Sequence, residues 1–172
     1  VNRILAIDPG PDRSALVCME AQPVALLYAD NATVRNRLVE QSRDLTGTSA
    51  LLAVEMIASY GMPVGREVFE TCVWIGRFAE AWGPRWLRVY RRDVKLELCG
   101  NARAKDPHVR QSLIDLYGPG REKAIGTKAK PGPLYGVTGD LWSAVAVGVT
   151  AQRMLRGKIQ PGIVAGTDCV GA

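Results

Sequence analysis

The chain has 172 residues, 47% of them apolar, which is enough for one domain with a substantial core and gives no reason to expect a second. Lys and Arg number 22 against 17 Asp and Glu, a formal charge of +5 that permits a polyanionic partner without proving one. No apolar run approaches the roughly 20 residues needed to cross a bilayer, and no basic-then-apolar leader opens the sequence, so a soluble, cytoplasmic protein without a membrane partner is expected.

The first predicted strand is Val1 to Ile7, ending on Asp8-Pro9-Gly10. After a Pro-Gly-Pro turn, Ser14 to Met19 reads as a second strand and Val24 to Ala29 as a third, with links short enough for an antiparallel meander. Asn31 or Thr33 can cap a helix over Val34 to Leu45, where Val34, Leu38 and Leu45 recur at helical spacing. The run Ala50 to Val54 is apolar enough to be buried on both faces, and it stops on Glu55. A long helix is predicted from Arg66 to Trp82, ended by Gly83-Pro84, and then a fifth strand over Trp86 to Tyr90. Helices over Asp93 to Cys99 and Pro107 to Tyr117 follow. Gly118 to Gly136 has no period and reads as a mobile loop or linker. Thr138 to Leu155 is helical, with Ala144, Val145, Val147 and Gly148 on its apolar side, and residues 158–172 are expected to form a flexible tail after a domain spanning 1–157.

Cys18, Cys72, Cys99 and Cys169 lack C-x-x-C spacing, and His108 is the single histidine, so a structural zinc site is not expected. Cys18 and Cys72 lie in apolar runs and read as small core residues of a reducing compartment.

Asp8 and Glu55 end two buried strands, where carboxylates are costly unless paired or bound to a cation. Asp140 opens the last helix. Three carboxylates drawn together need a cation, and all-oxygen ligands favour Mg²⁺, with Mn²⁺ a substitute, over zinc. Each acid also has a simpler reading: Asp8 as a turn former, Glu55 paired with an Arg at a strand end, Asp140 as a helix cap. A band of positive charge runs from Arg85 to Lys130 and suits either a solvated surface or a nucleic-acid partner.

Three antiparallel strands, a helix, and two more strands separated by a helix give an α/β class: a ribonuclease-H-like mixed five-stranded sheet with helices on both faces. The opening Ile4 to Gly10, the Val54-Glu55 strand end, the stretch Val94-Lys95 through Gly100 to Lys105, and Gly139-Asp140 leading into Ala144 to Val147 resemble the RuvC-type Holliday-junction resolvases, in order along residues 1–157. The resemblance implies a homodimeric, Mg²⁺-dependent endonuclease that nicks four-way DNA junctions by two-metal hydrolysis, with Asp8, Glu55 and Asp140 as catalytic metal ligands. Val137 stands where many members carry a further ligand, so the fourth ligand must come from elsewhere. Tyr60 is the candidate aromatic near opened base pairs. Lys95, Arg103, Lys105, Lys128 and Lys130 are the candidate DNA contacts.

Trp74, Phe78 and Trp82 add a second apolar stripe to a helix that already offers Val68, Cys72, Ile75 and Ala79 to the sheet, and this stripe is expected at the dimer interface. Alternative readings are a nuclease for branched or flap DNA and a catalytically weak DNA-binding module on the same fold. An actin-like or sugar-kinase-like nucleotide-binding fold would need a second lobe and a second phosphate loop, for which the chain has no room.

Overall fold

The structure, a computed structural model, describes residues 3–44, 50–59 and 61–158. Five strands form one sheet in the order β3-β2-β1-β4-β5: β1 (Ile4–Asp8), β2 (Arg13–Met19), β3 (Pro23–Asp30), β4 (Leu51–Met56) and β5 (Trp86–Tyr90). The first three pair antiparallel, whereas β4 runs parallel to both β1 and β5. The central strands β1 and β4 are apolar on both faces because both faces are covered. Leu5, Ile7, Leu52 and Val54 pack on one side beneath α1 (Asn31–Asp44) and α2 (Arg66–Trp82). Ile4, Ala6 and Ala53 pack on the other beneath α3 (Arg91–Cys99), α4 (Asp106–Tyr117) and α6 (Leu141–Arg153). The result is the expected three-layer α/β/α arrangement with the ribonuclease-H-like strand order.

Helix α6 crosses the sheet closely and is buried almost all round, from Ala144 to Ala151, rather than on one side. Gly148 permits this approach. A Cβ there would lie 2.7 Å from Met19 Cγ and 3.2 Å from Ala6 Cβ, so any side chain would push the helix off β1 and β2. The helix gives way after Arg153 to a π-type turn, Met154–Lys158.

Several expectations are corrected. The cap of α1 is neither Asn31 nor Thr33 but Asp30, whose carboxylate accepts from the Thr33 backbone N–H at 2.9 Å and from the Thr33 hydroxyl at 2.7 Å. Gly118 to Gly136 is folded: it contains a short helix, α5 (Arg121–Ala124), a bridge between Gly126 and Pro131, and the buried side chains Ala124 and Leu134. Its lack of period reflects irregular backbone pairing, with Leu134 N–H donating to the Ala124 carbonyl and Gly132 N–H to that of Ile125.

On α2 the expected sheet-facing side holds at Ile75 and Ala79 and fails at Cys72, and Phe78 of the second stripe turns inward with it. Phe78 is fully buried with Thr71, Ile75 and Ala79, and Trp74 and Trp82 pack partly buried against the same core. Phe78 is therefore a core residue, not an interface one. Cys72 is exposed and not a core residue, and beside it Phe69 and Val73 are 61% and 50% exposed. The helix is rotated so that Phe78 goes inward between Ile75 and Ala79 at the expense of Cys72, because the larger ring buries more apolar surface. Residues 159–172, which include Cys169, and the C-terminal end of the predicted Val34 to Leu45 helix at Leu45 lie outside the described residues. Among the described residues no helix is long and apolar enough to cross a membrane.

Candidate active site

Asp8 ends β1 at a turn that is held from below. Gly10 is required there, because a Cβ would lie 2.4 Å from the Arg13 carbonyl oxygen. Its N–H donates to Ser14 Oγ at 3.2 Å, the Ser14 hydroxyl donates to Asn31 Oδ1 at 2.6 Å, and Asn31 Nδ2 donates to the carbonyls of Gly10 and Pro11 at 3.0 and 3.1 Å. Ser14 and Asn31 are both buried. This closed polar network pins the backbone that follows Asp8.

Parallel pairing of β1 with β4 matches Ile7 to Val54, so the next residues, Asp8 and Glu55, emerge side by side at the carboxyl ends of adjacent strands. Both lie on the face covered by α6, since they continue the alternation of Ala6 and Ala53. Burial pushes the Asp8 carboxyl up from 3.8 to about 8, helped by the neighbouring Glu55 charge, by a hydrogen bond shared with Glu55 and, least, by Asp140, while Arg91 opposes the shift. Burial also raises Glu55, against the pull of Arg91 and of the hydrogen bond from Asp8. Both shifts run upward, so the pair does not carry two full charges when nothing else holds it. Glu55 Oε2 is buried and has no hydrogen-bond partner among the described residues. The two acids open into a cavity of about 250 Å³ completed by Pro9, Met56, Ile57, Ala58 and Arg91.

Arg91 is the group that sequence reasoning did not single out. Because Met56 pairs with Tyr90 across β4 and β5, the first residue of α3 arrives at the mouth of the carboxylate pair. Its guanidinium donates from Nη1 to Glu55 Oε1 at 3.4 Å and to Ser143 Oγ at 3.1 Å, and from Nη2 to Asp106 Oδ1 at 2.7 Å. An ion pair between Glu55 and an Arg at a strand end is one of the readings the sequence left open, but nothing in the local pattern distinguishes Arg91 from its neighbours Arg88 and Arg92. Asp106 and Ser143 were likewise missed, as they come from separate helices.

Asp140 occupies the N-cap position of α6, exposed and making no side-chain cap bond. It lies close enough to act electrostatically on Asp8. Among the described residues no three His, Cys, Asp or Glu side chains are gathered tightly enough to form a ready metal cluster. The donors nevertheless fit one hard cation. Two neighbouring carboxyls, both raised by burial, carry their charges only with a counter-ion, and the orphaned Glu55 Oε2 offers a buried oxygen to a divalent one. Val137 is a buried apolar residue that offers no donor.

The basic candidates come from α3, from the turn that follows it and from the segment beside α5. Lys95 is half-buried on α3, and Arg103 and Lys105 are exposed in the turn between α3 and α4. That turn is ordered by Asn101, which accepts from the Arg103 N–H at 2.9 Å, and by His108, whose Nδ1 accepts from the Lys105 N–H at 3.2 Å. His108 is a helix cap, not a ligand. Lys128 and Lys130 are exposed in a Thr127–Lys130 turn beside α5. Arg110, not among the sequence candidates, stacks over Trp142 with its guanidinium 4.5 Å from the ring centroid, two residues past Asp140. Tyr60 lies outside the described residues.

No protein-family model matches the sequence, and neither does any curated protein. Solved structures do match. Thermus thermophilus RuvC in complex with a Holliday junction substrate is 17% identical, with a TM-score of 0.64 over 92% of this chain and 98% of that one. A second Thermus thermophilus RuvC structure is 18% identical, with a TM-score of 0.60 over 90% of this chain and 96% of that one. The chain therefore has the ribonuclease-H-like fold of RuvC over nearly its whole length, as the resemblance in its sequence implied.

Proposed function

We propose that the protein is a divalent-metal-dependent endonuclease that nicks four-way DNA junctions, with Asp8, Glu55 and Asp140 as its metal-binding acids. The observation that carries this reading is the side-by-side placement of Asp8 and Glu55, two half-buried carboxylates at the ends of paired strands, with Asp140 near enough to act on Asp8. A pair that costly is retained where it holds a cation. The RuvC fold and the Holliday junction bound by one of its members support the substrate class.

When bound, Mg²⁺ would supply Lewis acidity and an activated water for phosphodiester hydrolysis. The chain's own part is positional. Gly10, Ser14 and Asn31 lock the Asp8 turn, β4 delivers Glu55 beside it, and the N-terminus of α6 carries Asp140 to the rim. Arg103 and Lys105, just before Asp106 in the chain, would receive the phosphates of a DNA arm, with Lys95 beside them. Lys128 and Lys130 would reach a more distant arm, and Tyr60 a base near the junction centre.

Two cuts across a junction need two active sites related by a two-fold axis. We assign that contact to the exposed face of α2, Phe69, Cys72 and Val73, with the exposed Met62 and Val64 in the loop before it.

The test is cleavage of matched four-way, three-way, flap and linear DNA with Mg²⁺ or with a chelator. Asp8→Asn, Glu55→Gln and Asp140→Asn should each lose cleavage by several orders of magnitude while binding the four-way junction as tightly as wild type. Preferential cutting of flaps would keep the chemistry and change the substrate. A variant with near-normal turnover would remove that acid from the catalytic set.

A further inference from the structure

We infer that Arg91 is a resident counter-cation of the active site, a positioning residue whose guanidinium takes the place of a second divalent ion, so that the chain binds one metal ion rather than two. The inference deepens the nuclease reading and rests on it. Its basis is the set of atoms around the guanidinium. Glu55 Oε1, Asp106 Oδ1 and Ser143 Oγ, brought from β4, α4 and α6, all contact one cationic group at 2.7–3.4 Å. An all-oxygen set with two carboxylates is what a hard divalent cation requires, and here a side chain already fills it.

The arrangement divides Glu55 between two cations. Oε1 faces Arg91, while the buried Oε2 has no partner among the described residues. The side of Glu55 toward Asp8 therefore remains for one metal ion, and the side toward Asp106 is occupied. Two ions in a hydrolytic site stand about 4 Å apart and need bridging or flanking carboxylates on both sides. A guanidinium bonded to Asp106, Ser143 and Glu55 takes the oxygens that a second ion on this side of Glu55 would need. Arg91 is 29% exposed, so it is held within the site and not swung into solvent. Its planar fork suits it to hold Glu55 still before any ion arrives.

Mn²⁺ titration of the full-length protein, with free Mn²⁺ counted by electron paramagnetic resonance, reads the stoichiometry directly. Wild type and Arg91→Lys should bind one ion per chain. Arg91→Gln and Arg91→Ala, which release three oxygens without a counter-cation, should bind two. Should these two variants fold only when Mn²⁺ is present, followed by circular dichroism, that too supports an ion taking the place of the guanidinium. Two ions per wild-type chain would overturn the inference. So would an unchanged count in the folded Gln and Ala variants, or their failure to fold with Mn²⁺ present. The counting is independent of cleavage: a wild type that binds one ion and cuts no DNA sinks the nuclease reading alone, and one that cuts DNA with two ions bound sinks this inference alone.

Discussion

Replacing Asp8 by Asn should stabilise the metal-free protein at high pH while leaving it unchanged below about pH 4. The Asp8 carboxyl titrates near 8 in the folded chain, against 3.8 ordinarily, chiefly because it is buried against Glu55. Between those values the folded chain holds a proton that the unfolded chain has released. Stability is therefore full below pH 4, falls as pH rises, and stops falling near pH 8. Each pH unit within the window costs about 1.4 kcal/mol, so between pH 5 and pH 8 the wild type should lose on the order of 3–4 kcal/mol through this group. The amide introduced by Asp8→Asn keeps the shape, still donates to Glu55 and does not titrate. In chelator the variant should exceed the wild type by about 5 kcal/mol at pH 8 and by about 1–2 kcal/mol at pH 5, the former about 10–20 °C in Tm for a chain of this length. Added Mg²⁺ or Mn²⁺ should recover the wild type and not the variant, because the ion takes the place of the shared proton. Urea unfolding in chelator at pH 5, 6.5 and 8 measures the difference. Parallel stability profiles for the two proteins would show that Asp8 carries no buried proton and would refute the account of the pair.

Three further outcomes follow from the same structure. Asn31→Ala leaves the Gly10 and Pro11 carbonyls and the Ser14 hydroxyl without their partner, which should cost about 2–3 kcal/mol in urea unfolding and reduce cleavage through the loosened Asp8 turn; an unaltered midpoint would show the network to be dispensable. Phe78→Ala should destabilise the fold by about 3–5 kcal/mol as a core cavity, whereas Phe69→Glu should leave stability unchanged and shift the protein from dimer to monomer in sedimentation, and a monomeric wild type would remove α2 as an interface. Arg103→Ala and Lys105→Ala should weaken binding to every junction sequence alike and each lower the salt slope of log K by about 1; unchanged slopes would make these residues solvated surface.

Much of the fold is legible in the sequence because its signals are local. The runs Ile4 to Ile7 and Leu51 to Val54 are too apolar for a one-sided strand, and Gly83-Pro84 stops α2 at Trp82 whatever surrounds it. Asp8 and Glu55 stand out because an acid closing such a run contradicts its burial. Choices between competing local signals were not legible. Helix α2 carries two apolar stripes, and only packing on Leu5, Ile7, Leu52 and Val54 decides that Phe78 goes inward and Phe69 outward. The aperiodic stretch after Tyr117 reads as loose because its order comes from backbone bonds such as Leu134 to Ala124, which leave no pattern of side chains. Arg91 is the clearest case. As sequence it is one of many basic residues in a band; as structure it is the cation that Glu55, Asp106 and Ser143 share. Those three residues lie 36, 15 and 52 positions from it, and only the parallel register of β4 with β5 and the docking of α4 and α6 on the sheet bring them to one guanidinium.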